Sequence, residues 1–255
     1  SRFLIELMEL GAAIKVINSS YIVDNVRMIK DQEECELMRK ASLLNDQAME
    51  QLQQYIQPGM TEKQVADKLA QIYEKLGADG YSFEPIIAFG PNGANPHHST
   101  GSAVAKTGDS VIFDIGCIKD SYCSDMTRTV ALGHPTEEME AVYNAVLAAQ
   151  KAGISAARAG ITGREIDAAG RNVLEAAGYG AYFSHGFGHS LGVDIHEGPS
   201  ASSREERIMP VGAVISAEPG VYIPGTLGVR IEDVLILNEN GCENITRSPK
   251  DLIVL

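Results

Sequence analysis

The chain repeats one series of helix signals about 100 residues apart, and this repeat constrains the fold more than any other feature. In the first copy, apolar residues recur every three or four positions over residues 31–56, which predicts an amphipathic helix that ends at Pro58-Gly59. A second helix is predicted to begin at Thr61, with Gln64 in the capping-box position, and to end at Gly77.

The second copy follows the same order, with an apolar-periodic segment over residues 137–157, a capping box of Thr162 and Glu165, and a terminal Gly178. An offset of 101 residues aligns five identical pairs. These pairs are Gly59 with Gly160, Thr61 with Thr162, Glu74 with Glu175, Gly77 with Gly178, and Tyr81 with Tyr182. Neither copy has a complete core of its own, so we predict two halves of one α+β domain, each with two helices followed by strands.

Each predicted helix pair is followed by a Gly- and His-rich loop and then by β-like segments that contain acids. In the first half, segments 111–117 and 123–130 are predicted to form a hairpin with its turn at Lys119-Asp120. This register places Asp114 directly opposite Asp125 on one face of the hairpin.

The second half repeats the arrangement. Segments 214–218 and 228–234 flank a predicted turn at Pro224-Gly225. A register centred on Gly225 places Glu218 opposite Glu232.

Four carboxylates therefore occupy matching positions on two predicted hairpins. Acids on a hairpin are commonly solvated, which leaves a simple surface role open. These four lie among Ile, Val and Phe residues, where burying uncompensated carboxylates would cost many kcal/mol. Divalent cations would neutralise them, so the pattern predicts a site for two metal ions.

Histidines supply a further source of ligands. Five of the six histidines fall into two Gly-rich clusters, His97-His98 and a group of His185, His189 and His196, whereas His134 stands apart. One imidazole with four carboxylates forms an oxygen-rich site that suits Mn²⁺, Co²⁺ or Zn²⁺ better than copper. Two such ions would balance four negative charges and convert a bridging water to hydroxide near neutral pH.

The charge balance narrows the choice of partners. The 34 Asp and Glu residues outnumber the 21 Lys and Arg residues and give a net charge of −13, which argues against binding to nucleic acid or an anionic membrane. No stretch approaches the roughly 18–20 apolar residues of a membrane helix, and the N-terminus has no signal-peptide layout. We therefore expect a cytoplasmic protein.

The four cysteines are expected to be reduced thiols. No C-x-x-C pair is present. The register of the first predicted hairpin places Cys117 opposite Tyr122 and Cys123 on the other face, which argues against a disulfide between these two cysteines.

From about Val26 to the C-terminus, the chain resembles the pita-bread metallopeptidases, and within them the Xaa-Pro aminopeptidases and Xaa-Pro dipeptidases (prolidases). Six ordered blocks carry the resemblance. They are Asn92-Gly93 leading to Pro96-His97, Phe113-Asp114-Ile115-Gly116, Ser124-Asp125-Met126-Thr127-Arg128-Thr129, His185-Gly186-Phe187-Gly188-His189-Ser190-Leu191-Gly192, Ala217-Glu218-Pro219-Gly220-Val221-Tyr222 and Val229-Arg230-Ile231-Glu232-Asp233.

The resemblance implies a pita-bread fold, in which two pseudo-symmetric helix-helix-strand halves surround a curved antiparallel sheet. It also implies hydrolysis of the Xaa-Pro bond at the N-terminus of peptides or in dipeptides. Two divalent ions would be required, and Mn²⁺ is expected, with Co²⁺ or Zn²⁺ as alternatives. The implied metal ligands are Asp114, Asp125, His189, Glu218 and Glu232, of which Asp125 and Glu232 would bridge the two ions.

The resemblance also assigns roles in catalysis and substrate binding. A metal-bridging hydroxide would attack the scissile carbonyl, and Glu218 would handle the proton of the water. His97 and His196 would contact substrate and stabilise the tetrahedral intermediate. His185 would line the proline-side pocket, and Arg230 would orient either the substrate or the carboxylates, although either residue could instead only brace its loop.

Peptidases of this kind usually carry an N-terminal domain before the catalytic one. Residues 1–28 resemble the end of such a domain, so we predict that they are a linker or tail, and that residues 29–255 are the catalytic domain of a longer protein. The full-length protein is expected to form a homodimer.

Three alternatives stay open. Methionine aminopeptidase shares the fold and the ligands, but its pattern continues differently where this chain has His189-Ser190-Leu191-Gly192 and His196. Creatinase has lost ligands that this chain keeps. A catalytically silent, peptidase-like binding module is the third alternative, although such modules typically lose ligands as well.

Overall fold

The computed structural model describes residues 2–11 and 17–255. Two short helices, α1 (Arg2–Glu9) and α2 (Ser20–Arg27), lie within the predicted tail at residues 1–28, and neither contains a buried residue. The parts of that tail at Ser1 and Ala12–Val16 lie outside the described residues. The assignment of residues 1–28 to a preceding domain stays a prediction.

Four longer helices form two consecutive pairs, as the repeat predicts. They are α3 (Gln32–Tyr55), α4 (Glu62–Leu76), α5 (Glu137–Ala156) and α6 (Gly163–Ala176). The capping boxes predicted at Thr61 and Thr162 are both present, and Gly77 ends α4 in the left-handed conformation. Among the described residues, no helix combines the length and the apolar character needed to cross a bilayer.

The described residues also form thirteen strands. They are β1 (Gly80–Tyr81), β2 (Ile86–Phe89), β3 (Ser110–Ile115), β4 (Cys117–Lys119), β5 (Tyr122–Cys123), β6 (Met126–Ala131), β7 (Gly188–Ser190), β8 (Glu197–Ala201), β9 (Val214–Ala217), β10 (Gly220–Ile223), β11 (Leu227–Arg230), β12 (Asp233–Asn238) and β13 (Gly241–Asn244). They pair antiparallel in the orders β1-β4-β5, β2-β3-β6, β10-β11 and β13-β12-β9-β7-β8. Helices α3 and α4 pack on the first-half strands, whereas α5 and α6 pack on the second-half strands.

The register predicted for the first hairpin is wrong by two residues. Asp114 pairs with Thr127 rather than with Asp125. The tight turn lies at Asp120 and Ser121, which have φ values of 50° and 70°, one position beyond the predicted turn at Lys119-Asp120. A shift of two residues keeps side chains on the same face, so Asp125 remains a diagonal neighbour of Asp114.

The same shift changes the cysteine positions. Cys117 contacts Ser124 rather than lying opposite Tyr122. Ser124 N–H donates to Cys117 O, and Cys117 N–H donates to the side-chain Oγ of Ser124. Tyr122 pairs with Lys119, and Cys123 pairs with Ile118. All four cysteines are free thiols.

The register predicted for the second hairpin is confirmed. Gly220 pairs with Arg230 and Ile223 pairs with Leu227, around a turn centred on Gly225. The same register continues in β9 and β12, where Ala217 pairs with Asp233. Glu218 and Glu232 therefore lie opposite each other in the gap between the two paired segments.

The two halves meet where β6 runs beside β11. Thr129 Oγ1 donates to Arg230 O and accepts from Arg230 N–H, and Glu232 N–H donates to Thr127 O. Beside this seam, the fully buried Arg128 donates to Asp233 at 2.8 Å and to the carbonyl oxygen of Glu232 at 2.6 Å. The backbones that carry the acids of each half are thus fixed to one another.

The second half contains a tight contact between its helices and the loop before β7. The ring of Phe187 is fully buried, and a Cβ added to Gly153 of α5 would lie 2.1 Å from this ring. Any larger residue at position 153 must therefore displace the ring or the helix.

We predict that Gly153→Ala destabilises the protein by about 1–3 kcal/mol, because overpacking at Phe187 outweighs the gain of about 1 kcal/mol that Ala has over Gly in a helix. Urea unfolding measures the change. Gly241→Ala is the matched control, since a Cβ at Gly241 meets no atom within 4 Å. A Gly153→Ala protein as stable as the wild type would contradict the packing described.

Candidate metal and catalytic site

A cavity of about 370 Å³ lies where the two halves meet. All nine residues that the sequence singles out as site residues line this cavity. They are His97, Asp114, Asp125, His185, His189, His196, Glu218, Arg230 and Glu232. Phe83, Ile86 and Ile195 add apolar wall, and Ser200 and Ser202 add hydroxyl groups.

Each acid lies within or just beyond a strand, where the backbone fixes its direction. Asp114 is in β3, whereas Asp125 immediately precedes β6. Glu218 follows β9, and its N–H donates to Phe187 O at 2.8 Å. Glu232 follows β11, and its N–H donates to Thr127 O at 3.0 Å. Strand pairing of the two halves therefore aims all four acids at one space.

His189 lies among these carboxylates. Its Nε2 is 3.4 Å from Asp125 Oδ2 and 3.5 Å from Glu218 Oε1. Its Nδ1 is 3.1 Å from the carbonyl oxygen of Ser190, and a carbonyl can only accept, so Nδ1 carries the proton. In neutral His189 the lone pair is therefore on Nε2, which faces the acids as a metal ligand requires.

Asp114, Asp125 and Glu232 hold their protons unusually strongly, because the pKa of each is raised. Burial, opposed by Arg230 and reinforced by Asp125 and Glu218, raises the pKa of Asp114 to about 7. Burial also raises the pKa of Asp125, and burial together with the charge of Asp125 raises the pKa of Glu232 well above its ordinary value. The cavity thus disfavours several negative charges at once unless a cation enters.

The pKa of His189 shifts in the direction that its neighbours dictate. Burial alone would lower it, but the adjacent carboxylates of Asp125 and Glu218 outweigh burial and raise the pKa of His189 to about 9. A proton on His189 therefore supplies part of the positive charge that the acids require.

Arg230 faces the acids rather than open solvent. Its Nη2 donates to Asp114 Oδ2, its Nε donates to Thr127 Oγ1 at 3.0 Å, and its Nη1 donates to the hydroxyl of Tyr222 at 2.9 Å. The sequence left three roles open for Arg230, namely orientation of the substrate, orientation of the carboxylates, or bracing of its loop, and these contacts favour orientation of the carboxylates.

Tyr222 connects Arg230 to His185. His185 Nδ1 lies 2.8 Å from Gly186 O and therefore donates, so the Tyr222 hydroxyl donates to His185 Nε2 at 2.8 Å. Burial lowers the pKa of His185, which favours this neutral form. Both ring nitrogens of His185, which lines the cavity, thus have protein partners.

Sequence reasoning missed several polar residues that orient the acids. Thr127 Oγ1 donates to Glu232 Oε2 at 2.7 Å, and Ser216 Oγ donates to Glu218 Oε1 at 3.1 Å while accepting from His189 N–H. Both lie two positions from a predicted ligand, on the same side of the chain. This period-2 spacing is a signal that could have identified them.

Two buried ion pairs fix the histidine-bearing loops of the second half. Asp167 of α6 binds Arg171 and accepts from Phe187 N–H, while Arg171 donates to His185 O at 2.7 Å. Lys30 donates to Glu197, the residue after His196, at 2.7 Å. The i, i+4 spacing of Asp167 and Arg171 on α6 is typical of an ion pair, whereas nothing in the local spacing predicts the pair of Lys30 and Glu197.

The residues present fit a divalent cation. Asp114 Oδ1 is buried with no hydrogen-bond partner, as expected for an oxygen that coordinates a metal ion. Ligand atoms of Asp125, His189 and Glu232 all lie within 4.8 Å of one another. Carboxylate oxygens with one imidazole match the preferences of Mn²⁺, Co²⁺ and Zn²⁺.

The comparisons with known families and curated proteins agree on a peptidase. The model of metallopeptidase family M24 matches residues 36–239. The uncharacterized peptidase YqhT of Bacillus subtilis is 41% identical over 233 residues, which cover 91% of this chain and 66% of the relative. The chain spans about two thirds of the length of the curated relatives it matches.

Solved structures give the same result. An Xaa-Pro dipeptidase from Bacillus anthracis matches with a TM-score of 0.90 and 42% identity, over 91% of this chain and 66% of that chain. The X-Pro aminopeptidase from Thermotoga maritima matches with a TM-score of 0.92 and 37% identity, over 94% of this chain and 68% of that chain. The predicted α+β, pita-bread fold with two related halves is thereby confirmed.

We predict that Asp125→Asn removes bound metal and activity together. Loss of a residue that only orients a ligand lowers metal affinity or activity by ~10–100-fold, and loss of the ligand Asp125 should lower them by more. Metal analysis after Mn²⁺ loading and dialysis, paired with peptide hydrolysis, measures both effects. Asp120→Asn is the control, because Asp120 lies in an exposed turn that Asn tolerates. Retention of metal by Asp125→Asn would contradict the ligand assignment.

We also predict that Mn²⁺ binding at pH 7 releases at least about one proton per chain, because carboxylates must ionise and His189 must be neutral to act as ligands. Affinity should rise between pH 6 and 8, since Asp114 and His189 hold protons up to pKa values of about 7 and about 9 without metal. Calorimetry in buffers of different ionisation enthalpy gives the proton count. Enthalpies that do not depend on the buffer would contradict this prediction.

Proposed function

Because the chain belongs to metallopeptidase family M24, we propose that it hydrolyses the Xaa-Pro bond, at the N-terminus of peptides or in dipeptides. The observation that carries this proposal is the meeting of four carboxylates and His189 at one cavity that is also lined by the apolar side chains of Phe83, Ile86 and Ile195. Hard-ligand metal chemistry and room for a small apolar ring are the two requirements of such a reaction.

The proline preference is supported by the names of the similar structures and by the cavity wall. One similar protein is named an Xaa-Pro dipeptidase and another an X-Pro aminopeptidase. In this chain, Phe83, Ile86 and Ile195 line the same cavity as His185. A pyrrolidine ring would bury its apolar surface against these side chains.

The proposed cofactor is a pair of divalent ions, with Mn²⁺ preferred over Co²⁺ or Zn²⁺. Asp114, Asp125, His189, Glu218 and Glu232 would hold them. When bound, the ions would lower the pKa of a water molecule and polarise the scissile carbonyl group. Their positive charge would also offset the burial, and the smaller repulsion between carboxylates, that raise the pKa values of Asp114 and Asp125.

The residues of the chain would perform the proton transfers. Glu218 is less buried than the other three acids, with 17% of its side chain exposed, and Ser216 orients its Oε1. Glu218 would accept the proton of the attacking water and pass it to the leaving nitrogen. Proline nitrogen needs this proton because it leaves as an amine.

Two histidines at the exposed side of the cavity would stabilise charge on the carbonyl oxygen. The ring of His196 lies 4.5 Å from the ring of His189, and His97 lies on the loop before β3. Donation from these rings to the developing oxyanion is worth ~10²–10³ in rate per donor. Arg230 would act at a distance from this oxygen, through the position of Asp114.

Two further predictions concern the whole protein. We propose that the full-length protein is a homodimer and acts in the cytoplasm on proline-containing peptides. Both follow from the sequence and the resemblance stated above.

We predict that the Mn²⁺-loaded chain cleaves Ala-Pro or a longer peptide that begins Ala-Pro, and leaves Ala-Ala peptides essentially intact. Mass spectrometry of the products measures the cleavage. Cleavage of the dipeptide alone indicates a dipeptidase, and cleavage of the longer peptide indicates an aminopeptidase. Preferential cleavage after an N-terminal Met would instead support a methionine aminopeptidase.

Absence of hydrolysis in a protein that retains Mn²⁺ would overturn the proposed activity and favour a peptidase-like binding module. Asp125→Asn, assayed in parallel, controls for contaminating peptidases. Its activity should fall to the level of the assay without protein.

A further inference from the structure

A carboxylate outside the metal-facing set binds the loop that carries His97. Glu62 is the first residue of α4 and is completely buried. Its Oε1 accepts from Phe89 N–H at 3.0 Å and from Asn92 Nδ2 at 2.8 Å. Its Oε2 accepts from Gly101 N–H at 2.9 Å and lies 2.9 Å from His98 Nε2.

These four contacts use the full acceptor capacity of one carboxylate, which has about four lone-pair sites. They also reach the start, the middle and the end of segment 89–101. A single buried anion therefore closes this loop on itself. The N-terminal end of α4 adds favourable partial positive charge at the same position.

His97 lies between two anchored neighbours. On one side, Pro96 O accepts from Arg230 Nη1 at 3.3 Å, and on the other, the ring of His98 contacts Glu62. His97 itself is exposed to the cavity, and its backbone N–H donates to Asn95 Oδ1. The side chain of His97 thus projects from a backbone that is held from both directions.

The opposite side of the loop packs against β11. A Cβ added to Gly228 would lie 1.8 Å from Gly93 O, so the loop backbone approaches this strand as closely as glycine allows. Glu62 and β11 therefore hold the loop from opposite sides. Removal of either support would let His97 move relative to the acids.

We propose that Glu62 is a positioning residue for His97, holding the loop so that the His97 ring reaches the reacting carbonyl group. This inference rests on the proposed role of His97 in the reaction. Glutamine at position 62 would keep the shape but exchange one acceptor oxygen for an NH₂ group, which faces the N–H donors of the loop. Displacement of a contacting group by about 1 Å can cost ~10² in rate.

The test is a double-mutant cycle on the Mn²⁺-loaded chain with the Ala-Pro substrate that the wild type cleaves. We expect Glu62→Gln to lower kcat by about 10- to 100-fold. We expect His97→Ala to lower kcat by ~10²–10³. In the His97→Ala background, Glu62→Gln should cost less than about twofold, because the residue that it positions is absent. Independent, multiplicative losses would overturn the proposal.

Three comparisons separate this inference from simple instability and from failure of the proposed function. Asp67→Asn is the matched control, because Asp67 is an exposed acid on the same helix, and it should leave kcat unchanged. Equal Mn²⁺ content in all variants excludes damage to the metal ligands. If His97→Ala is as active as the wild type, the proposed role of His97 fails, whereas an inactive His97→Ala with a fully active Glu62→Gln overturns only the positioning role.

A spectroscopic readout does not depend on activity. In ¹⁵N-histidine-labelled protein, the His97 ring signal, identified by its loss in His97→Ala, should broaden or shift in Glu62→Gln and stay unchanged in Asp67→Asn. If Glu62→Gln does not fold, Asn92→Ala removes one of the four contacts without leaving a charge unpaired on the helix. Asn92→Ala should lower kcat in the wild-type background but not in the His97→Ala background. An unchanged His97 signal in this variant would overturn the proposal.

Discussion

The main energetic constraint on the structure is the repulsion between four carboxylates that face one cavity, together with the cost of desolvating them. Three of the four, Asp114, Asp125 and Glu232, are buried, and their raised pKa values show that burial disfavours their charged forms. Such an arrangement is unstable unless cations or protons compensate it. Within the protein, the guanidinium of Arg230 and the imidazolium of His189 supply part of this compensation. A divalent ion supplies more charge at shorter range, so the site is organised to bind one.

The internal duplication explains how one chain brings these acids together. Each half contributes two acids from the region of one antiparallel strand pair, and the halves join where β6 lies beside β11. The buried pair of Arg128 and Asp233 fixes this seam, and Arg128 also binds the carbonyl oxygen of Glu232. Stability and ligand geometry therefore depend on the same contacts. A shift between the halves would move Asp114 and Asp125 relative to His189, Glu218 and Glu232.

His97, His185 and His196 lie on loops and His189 lies in the short strand β7, and buried acids hold these segments. Glu62 binds the segment around His97, and Asp167 binds the segment that leads to His189. Glu197, which follows His196 in the chain, binds Lys30. Loops are the most mobile parts of a protein, and catalytic donors must keep their geometry within a fraction of an ångström. Charge-assisted hydrogen bonds from a buried carboxylate give a loop the rigidity that it lacks by itself.

The sequence by itself determined the four long helices, the repeat, the family resemblance and nine of the residues that line the cavity. These features depend on spacing along the chain, as in the capping box at Thr61 and the register around Gly225. The tertiary structure alone decided the register of the first hairpin, where left-handed conformations at Asp120 and Ser121 moved the turn by one residue. It also decided the partners of Arg230 and Glu62. Arg230 binds Asp114, which is 116 residues away along the chain, and Glu62 binds Gly101, which is 39 residues away, and these groups approach each other only in the folded protein. Hydrogen bonds between distant segments leave no periodic signal in the sequence, because each depends on where the whole backbone has already placed its donor and acceptor.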